Sequence, residues 1–179
     1  WRPWTYGDFE TEYQAVRSAV SIADVSTLGK MIVRGPGALA LVEHLYPVRL
    51  SSLRPGRSRY VLMLDERGYV LDDGLVSRDD DATFTLSFTS GGAAFAEPWV
   101  RDWAESLALD VRVMNVTMAR GAINVTGPQA KTLMARVGAA VLPAFMGHAT
   151  MEVAGVLCQV YRLSFTGEVS YELHHDRAD

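Results

Sequence analysis

Apolar and polar positions along this chain follow two periods, and each change of period marks an element. Ala38, Leu41, Val42 and Leu45 recur at the i, i+3, i+4, i+7 spacing of one helical face. Ala130, Leu133, Met134 and Val137 repeat that spacing. Phe9, Tyr13, Val16 and Val20 predict an amphipathic first helix. Trp99, Val100, Trp103 and Leu107 predict the inner side of another, from Pro98 to Leu107. Strand-like runs cover Lys30 to Val33, Arg59 to Leu64, Tyr69 to Val76 and Thr83 to Phe88. Others cover Ala122 to Val125, Leu157 to Phe165 and Glu168 to His174. Asp65 to Gly68 and Thr166-Gly167 read as turns, and Ser90-Gly91-Gly92 as the entry to the Trp99 helix.

Part of this pattern occurs twice. Val33-Arg34-Gly35-Pro36-Gly37-Ala38 returns as Val125-Thr126-Gly127-Pro128-Gln129-Ala130, ninety-two residues later. Each block joins a strand to a helix, and Pro suits a helix's first position because its missing N–H costs nothing there. After each helix comes a strand, a turn and a second strand. Arg59 to Leu64 with Tyr69 to Val76 thus matches Leu157 to Phe165 with Glu168 to His174. The expected fold is α+β: two pseudo-repeated strand–helix–hairpin halves, about 28–90 and 120–175, forming mainly antiparallel sheets flanked by helices. Two halves about a pseudo-twofold axis would enclose a cleft. A duplication serving structure alone predicts the same sequence.

Composition narrows the classes. The 179 residues are 49% hydrophobic and 21% charged, which excludes disordered, collagen-like and coiled-coil chains. No apolar run approaches the roughly eighteen residues of a membrane span. A net charge of −4 offers no basic field for nucleic acid or anionic lipid. Cys158 is the only cysteine, so neither a disulfide framework nor a cysteine metal cluster forms within the chain. His44, His148, His174 and His175 lack metal-ligand spacing, so no metal site is expected, and His174-His175 reads as surface. The chain opens at Trp1 without Met or a signal segment, and stops at Asp179 soon after the alternating run Val169 to Leu173. It reads as a piece of a longer cytoplasmic protein, truncated at both ends.

The candidate chemistry lies in carboxylates. Alternation along Tyr69-Val70-Leu71-Asp72-Asp73-Gly74-Leu75-Val76 puts Asp73 with Tyr69, Leu71 and Leu75, and Asp72 on the other face. A carboxylate among large apolar side chains has a raised pKa and suits general-base or electrostatic work. The same acid pair also suits the capping of a strand end. Gly74 permits close approach of another backbone or a flat ligand. Glu168, after the Thr166-Gly167 turn, is expected on one strand face with Ser170 and Glu172. There it suits the paired N–H donors of an aminopyrimidine edge, or plain solvation. Arg54, Arg57 and Arg59 around Pro55-Gly56 suit a carboxylate tail or solvent alike. Cys158, in an apolar strand, reads as core. No GxSxG, P-loop or GxGxxG occurs.

Five segments together resemble the folate-binding aminomethyltransferase (glycine cleavage T-protein) family. They are Ile22-Ala23-Asp24-Val25-Ser26-Thr27-Leu28-Gly29-Lys30, the Val-Arg-Gly-Pro block that follows, Leu53-Arg54-Pro55-Gly56-Arg57-Ser58-Arg59-Tyr60, Gly68 to Gly74, and Ser164-Phe165-Thr166-Gly167-Glu168. The Ser26 to Lys30, Asp72-Asp73-Gly74 and Thr89 to Ala94 strings most resemble the C-terminal part of the heterotetrameric sarcosine oxidase alpha subunit. The resemblance implies tetrahydrofolate as cofactor and one-carbon transfer from a small N-methyl or aminomethyl donor, giving methylenetetrahydrofolate. It implies Asp73 as the catalytic carboxylate, acting on the folate N10 or N5 proton, and Glu168 as a pterin contact. Tyr69 and Leu71 would line the site by proximity. Flavin and NAD would belong to missing domains or partner subunits, and other subunits of a hetero-oligomeric oxidase are possible partners. A free-standing glycine cleavage aminomethyltransferase and a non-catalytic folate-binding module are the alternatives.

Overall fold

A computed structural model describes residues 5–139 and 141–177. Helix α1 (Phe9–Ser18) and strand β1 (Ser21–Asp24) open the chain. Then come β2 (Gly29–Arg34), α2 (Ala38–Leu45), β3 (Arg57–Leu64), β4 (Val70–Arg78), β5 (Thr83–Phe88), α3 (Ala93–Ser106) and β6 (Arg112–Asn115). The rest is β7 (Arg120–Thr126), α4 (Ala130–Arg136), β8 (His148–Val153), β9 (Val156–Tyr161) and β10 (Ser170–Asp176). The described residues form two compact units: one up to Val25 and again from Gly121, the other from Ser26 to Arg120.

The 26–120 unit carries a five-stranded sheet in the order β3-β4-β5-β2-β6. All four of its strand pairs are antiparallel. Its core is built from Met31, Val33, Val61, Met63, Val76, Phe84 and Leu86 of the sheet against α2 and α3. All four apolar positions read on α2 are buried. Helix α3 begins five residues earlier than predicted, at Ala93, with Gly92 of the predicted entry turn as N-cap and Pro98 inside. Val100 is buried, Trp99 and Trp103 pack against the core, and Leu107 lies just beyond the helix.

The other unit carries the order β1-β7-β10-β9-β8. This is the first sheet's topology again, because β7, β8, β9 and β10 take the places of β2, β3, β4 and β5. Strand β1 then occupies the edge that β6 holds in the 26–120 sheet. The registers agree: Arg112 faces Arg34, and Ser21 faces Thr126. Val125, Met134, Val153, Cys158, Val160, Tyr171 and Leu173 form this unit's core. The sequence match of hairpins is therefore off by one strand. The counterpart of β3–β4 is β8–β9, closed at Val153↔Val156 by Ala154-Gly155, both with positive φ. Strands β9 and β10 correspond to β4 and β5 and are joined by residues 162–169, not by a tight turn.

The repeated Gly-Pro block has one geometry in both units. Gly35 and Gly127 have φ of 142° and 133°, and a Cβ on either would lie 2.4 Å from Asp110 O or 2.5 Å from Ala19 O. Gly35 N–H donates to Ala82 O and Gly127 N–H to Val169 O, both at 2.9 Å. Pro36 and Pro128 do not take the first helical position. Gly37 and Gln129 stand between, and their N–H groups donate to Asp110 O at 3.1 Å and Ala19 O at 2.9 Å. A proline one place later would remove that donor.

Helix α1 departs from expectation in burial. Asp8 Oδ1 caps it by accepting from Thr11 N–H at 2.9 Å. None of its residues is buried, Phe9 is 78% exposed, and Val20 lies beyond its end. Phe9 stacks on Tyr13 at 6.0 Å rather than on a core. No helix among the described residues is long and apolar enough to cross a membrane.

Candidate active site

The two adjacent aspartates sit where β4 bends. Leu64 pairs with Val70 and Met63 with Asp72, so Leu71 is an extra residue in the ladder. Such a bulge resets the alternation. Leu71 packs against the core, off the face assigned to it by simple alternation with Asp73. Tyr69 precedes β4 in the turn and is 66% exposed, its ring 5.1 Å from the Arg67 guanidinium. Its N–H donates to Asp65 Oδ1 at 2.9 Å, which holds the Asp65 carboxyl below its ordinary value.

Burial of the acid pair is the reverse of the sequence expectation. Asp72 is the buried carboxylate, at 7% exposure, while Asp73 is half-buried. Asp72 Oδ2 accepts from Thr89 N–H at 3.1 Å, tying β4 to the segment that enters α3. The fit is close enough that a Cβ on Gly92 would lie 2.0 Å from that oxygen. The Tyr46 hydroxyl is buried and has no hydrogen-bond partner among the described residues. Burial, and then the Asp72 charge, push its ionisation far up. Gly74 serves the approach of another backbone: a Cβ there would lie 1.9 Å from Ser87 O on β5.

Asp73 is directed by a residue the sequence reading passed over. Asp73 pairs with Leu62 and Leu75 with Tyr60, so Tyr60 is the diagonal neighbour of Asp73 on that face. Val61 and Met63 are buried while Tyr60 and Leu62 are exposed. Asp73 therefore lies on the sheet face opposite the core. Tyr60 donates its hydroxyl proton to Asp73 Oδ2 at 2.7 Å. That bond, with some burial, raises the Tyr60 phenol above its ordinary value. The spacing of β3 against β4 was the available signal, since an alternating strand before a tight turn fixes which side chains meet.

Glu168 belongs to the other unit and lies in the 162–169 connection, ahead of β10 rather than on its face. Arg17 Nη1, from α1, donates to Glu168 Oε1 at 3.0 Å and to Thr166 O at 2.9 Å. Ser164 Oγ donates to Glu168 O at 2.7 Å. Ser170 and Glu172 do share a face of β10. Ser170 Oγ accepts from Asn124 Nδ2 at 2.9 Å, and Glu172 Oε1 meets His174 Nε2 at 2.6 Å. His174 is thus not surface: it is 5% exposed beside the Tyr161 ring. Cys158 lies in the core as read. Arg59 donates to the carbonyl of Arg49. Among the described residues, no group of three or more His, Cys, Asp or Glu side chains is arranged to hold a metal ion.

The comparisons with known proteins agree on one family. The "Sarcosine oxidase subunit alpha" of Corynebacterium sp. (strain U-96) is 31% identical over 96% of this chain and 20% of its own length. The "Aminomethyltransferase" of Mycobacterium leprae (strain Br4923) is 34% identical over 96% of this chain and 46% of its own. The chain thus spans less than half the length of these relatives. Among solved structures, the glycine cleavage system aminomethyltransferase T from Bartonella henselae superposes with a TM-score of 0.80 at 26% identity, covering 92% of this chain and 44% of that one. The heterotetrameric sarcosine oxidase from Corynebacterium sp. U-96, in complex with pyrrole 2-carboxylate, shares the fold with a TM-score of 0.62 at 16% identity. It covers 89% of this chain and 76% of that chain. A model of the GCVT N-terminal domain matches residues 1–179, and the chain belongs to that family.

Proposed function

We propose that this chain is the tetrahydrofolate-dependent one-carbon transfer domain of a sarcosine-oxidase-like enzyme. It would capture carbon at the iminium or formaldehyde level as methylenetetrahydrofolate. The observation that carries the reading is the Asp73 carboxylate, half-buried off the core face and directed by the Tyr60 hydroxyl. The donor set suits a folate. Glu168 has one oxygen on Arg17 and, among the described residues, no hydrogen bond on the other. An ionised carboxylate has about four acceptor positions, enough for the paired N–H donors of a pterin edge.

Tetrahydrofolate, when bound, supplies the nitrogen that takes up the carbon. Asp73 receives the proton which that nitrogen sheds, and its charge stabilises the cationic carbon of the donor. Tyr60 holds Asp73 Oδ2 and leaves Oδ1 for the proton. Glu168 orients the pterin, Tyr69 lines the ligand wall, and Leu71 steadies the strand from the core side. The amine donor and the other subunits of a hetero-oligomeric oxidase are the expected partners, in the cytoplasm. Flavin and NAD belong to other domains or subunits.

Calorimetric titration of the full-length protein with tetrahydrofolate tests this reading. Binding is expected in the wild type and loss of binding in Glu168→Ala. Asp73→Asn is expected to bind but to transfer carbon about 10²–10⁴ times more slowly. Absence of binding heat, or full transfer by Asp73→Asn, rejects the reading. Relatives named aminomethyltransferase or probable aminomethyltransferase, at 29–36% identity, favour a second reading: a free-standing glycine cleavage enzyme. Transfer that requires a lipoyl carrier protein rather than sarcosine and oxidase subunits selects it.

A further inference from the structure

We infer that Arg17 is a positioning residue for Glu168, setting its carboxylate from helix α1 before the ligand arrives. The inference rests on the folate reading above and extends it to a residue outside the motifs. One guanidinium nitrogen, Nη1, donates both to the Thr166 carbonyl at 2.9 Å and to Glu168 Oε1 at 3.0 Å. It therefore fixes the side chain of residue 168 relative to its own loop backbone. The other bonds of Glu168 hold its main chain only: Ser164 Oγ donates to Glu168 O at 2.7 Å, and Glu168 N–H donates to Thr166 Oγ1 at 3.3 Å. Thr126 and Thr166 hydroxyls meet at 2.9 Å and anchor the loop to β7. Among the described residues, Arg17 is the one hydrogen-bond partner of the Glu168 carboxylate. Its guanidinium in turn lies 5.5 Å from the Tyr13 ring centroid, which steadies it from the preceding turn of α1.

A glutamate has three side-chain torsions to immobilise when it binds a ligand. Fixing them in advance raises affinity without adding a ligand contact. With Oε1 taken by Arg17, Glu168 has, among the described residues, Oε2 open to a ligand. That selects ligands presenting an edge of adjacent N–H donors, the aminopyrimidine class, and disfavours edges that present acceptors.

The experiment is a double-mutant cycle on the full-length chain, with tetrahydrofolate affinity read by calorimetry. Arg17→Ala is expected to weaken binding about three- to tenfold. Arg17→Lys, which keeps the charge and one donor nitrogen on a shorter side chain, is expected to recover part of that loss. Arg17→Ala in a Glu168→Gln background is expected to cost less than in the wild type, because only a neutral amide oxygen is left to accept from Arg17. Arg17→Gln replaces Arg17→Ala should the latter fail to fold. Wild-type affinity in Arg17→Ala, no recovery in Arg17→Lys, or an additive double mutant overturns the inference alone. A wild-type chain that binds no tetrahydrofolate overturns the folate reading and this inference with it.

Discussion

Asp72 and Asp73 share a chemistry and differ in what the strand gives each of them. Asp72 faces the interior and has a backbone N–H from Thr89 at 3.1 Å. Asp73 faces away from the core and has the Tyr60 hydroxyl at 2.7 Å. The first arrangement fastens β4 to the segment that enters α3, and the second leaves Asp73 Oδ1 without a hydrogen bond among the described residues. Asp72→Asn is therefore expected to cost about 1–3 kcal/mol of stability. Gly92→Ala, which drives a methyl onto the same oxygen, should cost a similar amount. Urea unfolding measures both, and the folded fraction of each should retain carbon transfer within a few-fold. A stable Asp72→Asn variant without transfer would exchange the roles of the two acids. That the two acids take opposite faces was legible in the chain, because two neighbours on a strand must part company. Which of them is buried was not, because one bulged residue, Leu71, resets the faces and a helix entry seventeen residues later supplies the partner for Asp72.

Among elements, the two Gly-Pro turns are one device used twice. Each places a glycine at positive φ against the carbonyl that precedes an edge strand: Asp110 before β6, Ala19 before β1. The strain of a side chain in that backbone region costs on the order of 1–3 kcal/mol, and the collision with the carbonyl adds to it. Gly35→Ala and Gly127→Ala are expected to destabilise by similar amounts, above 2 kcal/mol or so. Thermal unfolding checks this, and a tolerated Gly127→Ala beside a crippled Gly35→Ala would separate the two turns. The helices α2 and α4 and the central strands could be read because a buried face imposes its period on the chain. Strands β1, β6 and β8 could not. They lie at sheet edges, and most of their side chains are exposed, so little apolar alternation is required of them. Missing β8 shifted the matched hairpin by one strand. Arg17 was invisible for another reason: its partner is 151 residues away, and no local pattern announces such a bond.

For the whole molecule, acid is the expected weak point. Glu43 accepts from the Ser51 and Leu50 N–H groups, Asp65 from Tyr69 N–H, and Asp80 from Ala82 N–H. Glu97 is held by the Asn115 amide and by Arg101. Each carboxyl is thereby lowered beneath its ordinary value of 3.8 or 4.5. A folded-state value below the unfolded one gives stability that is complete above the unfolded value and disappears as pH falls through the folded one. The urea midpoint should accordingly stay flat from neutrality to about pH 5 and drop below it. Glu43→Gln should lower the neutral midpoint and flatten the drop, and an unchanged profile would show that these carboxylates do not govern it.

Cys158 lies in the core of the unit that closes around β9 and belongs to no disulfide. A thiol reagent can reach it only when that sheet opens, and the chain holds no second sulfhydryl to confuse the signal. The protein thus contains its own clock for one unit's breathing, readable by absorbance without any label being introduced.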